Sequence, residues 1–379
     1  MAGDRDHALS GRGGQTMSRR ASATGPGPGH PLSLLVPSQA PAGQLVALVP
    51  AGTLFAAVAG RRDDNDGEPI ALSTLFDLAS LTKVVTAMAF MRLVEDSAVA
   101  LRGHVVEVLP AFGGGSATAR EVTWWHLLTH SSGLPADPSD PLDQDPVVAR
   151  RQVLEVPIGR AGLVVYSDVG FMVLGFAIEA LTGQRLDRAI RELVTGPAGL
   201  ESLTYLPSPS RSIAPTELDR LTGRHLRGVV HDENARALGG IAGHAGLFAT
   251  ATDVARLGSV FLRGREGVLG VSTIERMTTE QATGAEGIRR GLGVALWAPD
   301  PEATSHPFGP RSFGHTGYTG TSLWVDPERS LVVALLTNAV YRGRSFGSFF
   351  ASRIEVHRRI VAAADAAAST RAEALHGIA

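Results

Sequence analysis

Two apolar, partly β-branched runs at residues 44–49 and 53–59 are broken by Pro50-Ala51-Gly52, a pattern that predicts a β-hairpin. A polar loop over residues 61–68 follows. The next apolar stretch has another period: Leu81, Val84, Val85, Met88, Phe90, Met91, Leu93 and Val94 recur at spacings that suit a helix buried on most sides. From there to about Gly284 the pattern is mainly helical, with long loops. Strand patterns return at 291–297, 311–316, 319–326 and 331–337, the last two joined by the turn Asp326-Pro327-Glu328-Arg329. A helix from about 345 to 368 closes the chain. Strands at both ends around a helical middle predict an α/β (α+β) fold. One antiparallel sheet is assembled from N- and C-terminal parts and flanked by helices, with an all-α lobe inserted. The expected division is a sheet lobe of roughly 40–74 and 285–379 and a helical lobe of roughly 75–284, within one two-lobed domain over 32–379. Residues 1–31, rich in Gly, Arg, Ser and Pro, read as a disordered lead-in.

Composition narrows the function more than the fold. The chain has 379 residues, 44% of them apolar, enough for a substantial core. A net charge of −2 makes no electrostatic case for nucleic acid or for an anionic membrane. There is no cysteine, which excludes disulfides, thiolate metal sites and cysteine nucleophiles. No apolar run approaches the roughly 20 residues of a membrane-spanning helix. Ser18-Arg19-Arg20 has the look of a twin-arginine export start, yet residues 21–30 are not apolar. The run Leu32–Val36 is five residues between prolines, where a secretory core needs roughly 7–15. A cytoplasmic protein is expected, whether Met1 or Met17 starts it. Oligomeric state is left open.

The candidate chemistry begins at the mouth of the first helix, in Ala79-Ser80-Leu81-Thr82-Lys83. Residues three apart share a helix face, so the Lys83 amine points at the Ser80 hydroxyl. A serine is a poor nucleophile until a base stands beside it. Burial among Leu81, Val84 and Val85 is expected to lower the lysine's pKa and make it that base. Any long helical protein contains a Ser-x-x-Lys by chance, with an exposed lysine one turn from a capping serine; two further motifs argue against that here. Tyr166-Ser167-Asp168 precedes an apolar helical run, which aims the Tyr166 hydroxyl into a cleft for proton transfer. His315-Thr316-Gly317-Tyr318 ends one strand pattern and precedes the next. Gly317 lets a strand edge come close to a ligand, and the backbone N–H groups of Tyr318 and Ser80 form an oxyanion site.

In this order the three motifs resemble the serine β-lactamase and penicillin-binding-protein superfamily, and within it the branch of class C β-lactamases, family VIII esterases and D-amino-acid peptidases. That branch has Ser-x-x-Lys, Tyr-x-Asn and Lys/His-Thr-Gly, matched here by Ser80/Lys83, Tyr166 and His315/Thr316/Gly317. Similar context surrounds Leu128-Thr129-His130-Ser131-Ser132-Gly133-Leu134-Pro135 and Gly243-His244-Ala245-Gly246-Leu247. The resemblance implies an antiparallel sheet lobe, a helical lobe and a site between them. It also implies a serine hydrolase: Ser80 attacks a carbonyl, Lys83 and Tyr166 manage its proton, and water resolves the acyl-enzyme. No cofactor is implied, and the partner is a small ester or amide, β-lactams included.

Two departures matter. Asp168 stands where the family usually carries asparagine, and His315 replaces the lysine of Lys-Thr-Gly. Both favour an esterase, amidase or acyltransferase over a cell-wall peptidase. At an unperturbed pKa of ~6.5, His315 is expected to serve as a neutral hydrogen-bond donor. A catalytically silent scaffold is the alternative of another class, and the intact Ser80, Lys83 and Tyr166 argue against it.

The histidines invite a metal reading, which the pattern does not support. His126 and His130 are four apart, but Leu127 sits where a zinc protease needs its glutamate. His225, His231, Asp232 and His244 lie close in sequence amid glycines. There a cleft-lining loop is expected, with His231 and Asp232 touching substrate and no metal bound.

Overall fold

The computed structural model describes residues 30–376, apart from 63, 65 and 66. The lead-in expected to be disordered therefore lies, to residue 29, outside the described residues. The predicted hairpin forms as β1 (Ala42–Val49) and β2 (Gly52–Gly60). At its turn Gly52 adopts φ +121°, a conformation open mainly to glycine. Late in the chain come β3 (Ala282–Thr283), β4 (Arg289–Arg290), β5 (Ala295–Leu296), β6 (Phe313–Gly317), β7 (Thr321–Asp326) and β8 (Leu331–Thr337). All eight join one antiparallel sheet in the order β2-β1-β8-β7-β6-β5-β4-β3. Gly43 faces Thr337 across the β1–β8 seam, so the two ends of the chain close the sheet.

Both faces of the central strands are covered, which explains their nearly unbroken hydrophobicity. On β8, Val332, Ala334 and Leu336 join the larger core, while Leu331, Val333 and Leu335 join a second core on the other face. The second core is closed by the C-terminal helix α4 (Phe349–His376) and by Leu32, Leu35 and Val36 of the N-terminal turn. The short apolar run before β1 is therefore packed into the protein.

The inserted segment carries α1 (Thr82–Glu95) and α2 (Asp168–Thr182), which pack together at the heart of the larger core. One helix in that stretch sits elsewhere. α3 (Ala251–Arg263) lies on the sheet, against β1, β7 and β8. Its Gly258 comes so close that a Cβ there would meet a Val332 methyl at 2.5 Å. A small three-stranded sheet of Phe76–Asp77, Leu247–Ala249 and Thr204–Tyr205 leads the chain into the turn before α1.

Candidate active site

Ser80 lies in the 3-10 turn Ala79–Leu81 just ahead of α1, and the turn is held from several sides. Ala79 has φ +45°, an uncommon conformation for a residue with a Cβ. The buried Asp77 carboxylate supports it, accepting the N–H of Ala79 at 2.8 Å and that of His231 at 2.7 Å. From the sheet, the hydroxyls of Thr319 and Thr321 donate to the carbonyls of Asp77 (2.7 Å) and Leu78 (3.1 Å). Gly317 completes the clamp: a Cβ there would stand 2.5 Å from the Leu78 oxygen. The glycine admits a strand edge, as expected, and what it admits it to is the nucleophile turn itself.

Lys83 is fully buried. Its Nζ donates to Ser80 Oγ at 2.9 Å and to the His244 carbonyl at 3.1 Å, and forms an ion pair with Asp168 Oδ1 at 2.6 Å. Two hydrogen bonds and one carboxylate thus surround the amine. This overturns the expected direction of its pKa. Burial does pull it down, but the Asp168 carboxylate and Tyr166 more than offset that, and the net displacement is upward. Lys83 rests as a cation.

Tyr166 and Asp168 reach the lysine because Ser167 between them caps α2, its Oγ accepting the Gly170 N–H at 3.1 Å. Lys83 Nζ lies 5.0 Å from the Tyr166 ring centre. Beneath that ring sits His130, centroids 4.6 Å apart, with its Nδ1 accepting the Ser167 N–H at 3.0 Å. Burial, then Arg290, Lys83 and His315, hold His130 well below the ordinary histidine range. The spacing to His126 was therefore no metal signal. His126 instead caps its own helix, accepting the Thr123 N–H.

His315 is buried 5.8 Å from the Tyr166 ring, and burial, with Lys83 and Arg290, lowers its pKa to about 3. With Thr316, Gly317, Tyr318, Ser80 and Tyr166 it lines a largely apolar cleft of about 490 Å³. The Tyr318 side chain is 49% exposed at its mouth.

His231 and Asp232 are not placed as substrate contacts. His231 Nε2 meets Glu217 Oε2 at 3.0 Å, and its ring stacks beneath Tyr318. Asp232 caps the helix Glu233–Ala237, accepting the Ala235 N–H, and also meets His244 Nε2 at 2.9 Å. Although burial opposes it, the His244 contact holds Asp232 well below the usual carboxylate range. His225 stacks on Tyr341 and bonds the Thr216 carbonyl, and of the four clustered residues only Asp232 and His244 join the candidate ligand group among the described residues. Asp168, Asp232 and His244 do come together. However, Asp168 is paired with Lys83 and the His244 Nε2 meets Asp232, so each of the three already has a partner within the protein.

Two cleft residues carried no motif. Arg290 on β4 is half-buried, with its guanidinium 5.6 Å from the Tyr166 ring and its Nε unpartnered. Its neighbour Arg289 pairs with Glu280, whereas Arg290 faces the cleft with no carboxylate beside it among the described residues. Arg353 on α4 is buried over Phe349 and Phe350, donates to Thr304 Oγ1 at 3.2 Å, and is lowered to about 10 by burial.

A buried serine–lysine pair at the head of a core helix, faced by a tyrosine loop and a sheet edge, defines a β-lactamase and penicillin-binding-protein type of architecture. The chain belongs to the Beta-lactamase family, whose model matches residues 34–354. Over 310 residues it is 33% identical to a protein of Escherichia coli (strain K12) named "Putative D-alanyl-D-alanine carboxypeptidase", covering 70% of this chain and 69% of that one. Among solved structures it resembles EstCE1, a hydrolase with promiscuous acyltransferase activity (TM-score 0.73, 21% identity, 86% and 96% of the two chains). A class C β-lactamase from Rhodobacter sphaeroides shares the fold at TM-score 0.69 and 19% identity, over 86% and 96% of the chains.

Proposed function

We propose that the protein is a serine hydrolase that opens an ester or amide bond of a small substrate through an acyl-enzyme on Ser80. The observation that carries this is the Ser80 Oγ–Lys83 Nζ contact of 2.9 Å on a turn clamped from the sheet side. Ser80 attacks the carbonyl, and the N–H groups of Ser80 and Tyr318 receive the developing oxyanion. Tyr166 and Lys83 return the serine proton to the leaving group, and water entering beside Tyr166 releases the acyl group.

The substrate carries an anionic group. A half-buried guanidinium without a counter-charge gains from one, and Arg290 is such a group beside the Tyr166 ring, its Nε unpartnered. A carboxylate from the substrate would supply the missing charge bidentately. His315, held neutral by burial, does not compete for it. This fits the name of the curated relatives, carboxypeptidases, whose substrates end in a free carboxylate.

The test is intact-protein mass spectrometry after treatment with a fluorophosphonate, together with rates on paired esters with and without a carboxylate. One adduct, lost in Ser80→Ala, and a preference for the charged ester are expected. An adduct that persists in Ser80→Ala removes the assignment.

A further inference from the structure

Within the reaction proposed above, on which this rests, we propose that Asp168 is the proton acceptor that turns Lys83 into a base. Lys83 Nζ donates to Ser80 Oγ and to the His244 carbonyl, and stands 2.6 Å from Asp168 Oδ1 in an ion pair. An ammonium group that donates to the serine oxygen cannot also remove the serine proton; one of its own protons must leave first. Of the three acceptors, a peptide carbonyl does not take a proton at ordinary pH, and Ser80 is the group to be deprotonated. Tyr166 also lies beside the amine, but a phenol brings a proton of its own, so the acceptor is the Asp168 carboxylate, at 2.6 Å the shortest of the three contacts.

The step then balances inside the site. As Ser80 Oγ bonds to the substrate carbonyl carbon, the C=O π pair moves onto oxygen. The serine proton passes to Lys83 Nζ, and a Lys83 proton passes to Asp168 Oδ1. Asp168 becomes neutral, Lys83 stays an ammonium, and the negative charge has moved to the oxyanion. On collapse the proton returns through Lys83 to the leaving alcohol or amine. No proton is exchanged with solvent during acylation.

The surroundings suit this exchange. Asp137 and Asp232 face the pair from two loops, and Asp232 is itself held by His244. Tyr166 flanks it, with His130, His315 and Arg290 behind. The histidines are held neutral by burial, so they do not replace Asp168 as a charged partner. A glutamine or asparagine at position 168 could hold Lys83 in place but could not accept its proton. Asp168 acts through Lys83 and so is a positioning and proton-storing residue.

The experiment measures the rate of Ser80 labelling by a fluorophosphonate from pH 5.5 to 9.5, which needs no knowledge of the natural substrate. In the wild type the rate is expected to be nearly flat across neutral pH, since the pair makes its own base. In Asp168→Asn the lysine must lose its proton to solvent. The rate should then fall at least ~10²-fold at pH 6, and climb about tenfold per pH unit until the lysine titrates. Formate added to Asp168→Ala should restore labelling at pH 6, a rescue that also covers a poorly folded asparagine variant. A profile of Asp168→Asn parallel to that of the wild type, or an Asp168→Ala variant indifferent to formate, overturns the role of Asp168 while leaving Ser80 as nucleophile. No adduct on Ser80 of the wild type overturns the hydrolase reading and this inference with it.

Discussion

His315 Nδ1 lies 2.7 Å from the carbonyl oxygen of Thr316, and that contact sets the tautomer of the ring. A carbonyl oxygen only accepts, so the proton of the neutral ring is on Nδ1 and Nε2 is left as a bare acceptor with no partner. The sequence led to the expectation of a neutral donor here. The neutrality fits the structure, but towards the cleft the ring can only receive a hydrogen bond.

Because burial, Lys83 and Arg290 lower the His315 pKa to about 3, kcat/KM should show no inflection from this residue between pH 5 and 8. His315→Gln, which still offers an acceptor, should keep activity within about tenfold. His315→Lys adds a third cation beside Lys83 and Arg290 and should lose more than ~10²-fold. Rates of the three proteins on one ester from pH 5 to 9 check this. A lysine variant that outperforms the glutamine variant would mean that charge is wanted at this position.

Lys83 and Tyr166 share the path of the serine proton, so their losses should not add. Lys83→Ala and Tyr166→Phe are each expected to lower kcat by at least ~10²-fold. The double variant should be little worse than the poorer single one. A loss equal to the product of the two would show that they act independently.

Gly317→Ala should be far more damaging than its size implies. Its Cβ would stand 2.5 Å from the Leu78 oxygen and 2.1 Å from Thr321 Oγ1, so the nucleophile turn and the sheet edge must separate. Displacement by even ~1 Å can cost ~10²-fold in rate. We expect that loss in kcat, read by labelling of Ser80, together with a lower Tm. An alanine variant with wild-type labelling would show that the clamp does not position Ser80.

Much of the site was legible because its elements are local. The i, i+3 spacing of Ser80 and Lys83 and the place of Tyr166 just before an apolar helix are short-range features, and the structure brings these residues together as expected. The sheet was legible from hydrophobic runs at both ends of the chain. The charge state of Lys83 was not, because it depends on Asp168, which lies 85 positions away and meets it only in the folded protein. His130 read as half of a histidine pair, and only the fold shows it supporting the Tyr166 ring. Arg290 has no motif, and the expected strand began at 291; only the fold places Arg289–Arg290 on a strand, one paired with Glu280 and the other lining the cleft. His231 and Asp232 carry capping and pairing contacts in the fold, duties that leave the same residue types in a loop as substrate binding does.

Arg290 should decide between charged and neutral substrates. Arg290→Gln removes the unpaired cation and keeps much of the volume, so KM for a carboxylate-bearing ester should rise about tenfold or more while a neutral ester is little affected. Initial rates on the matched pair separate recognition from chemistry. Equal losses on both esters would assign Arg290 to holding Tyr166 instead.

Stability towards acid should be set partly by a histidine remote from the cleft mouth. His357 on α4 is fully buried, its Nε2 is 3.1 Å from Ser322 Oγ, and burial, with Arg353, lowers its pKa to about 3. The unfolded chain restores an ordinary value of ~6.5, so between pH 6.5 and 3 the unfolded state binds the extra proton. The contribution of neutral His357 is therefore fully present above ~6.5 and is lost as pH falls, by about 1.4 kcal/mol for each pH unit. His130 and His315 act in the same direction. His357→Gln takes one of these groups away without touching the catalytic residues. It should be less stable than the wild type at pH 8, yet its stability should decline less steeply, by about 2 kcal/mol between pH 6.5 and 5. Urea unfolding at those pH values measures both slopes. Identical slopes would mean that His357 titrates alike in the folded and unfolded chain, which its burial and its place beside Arg353 oppose.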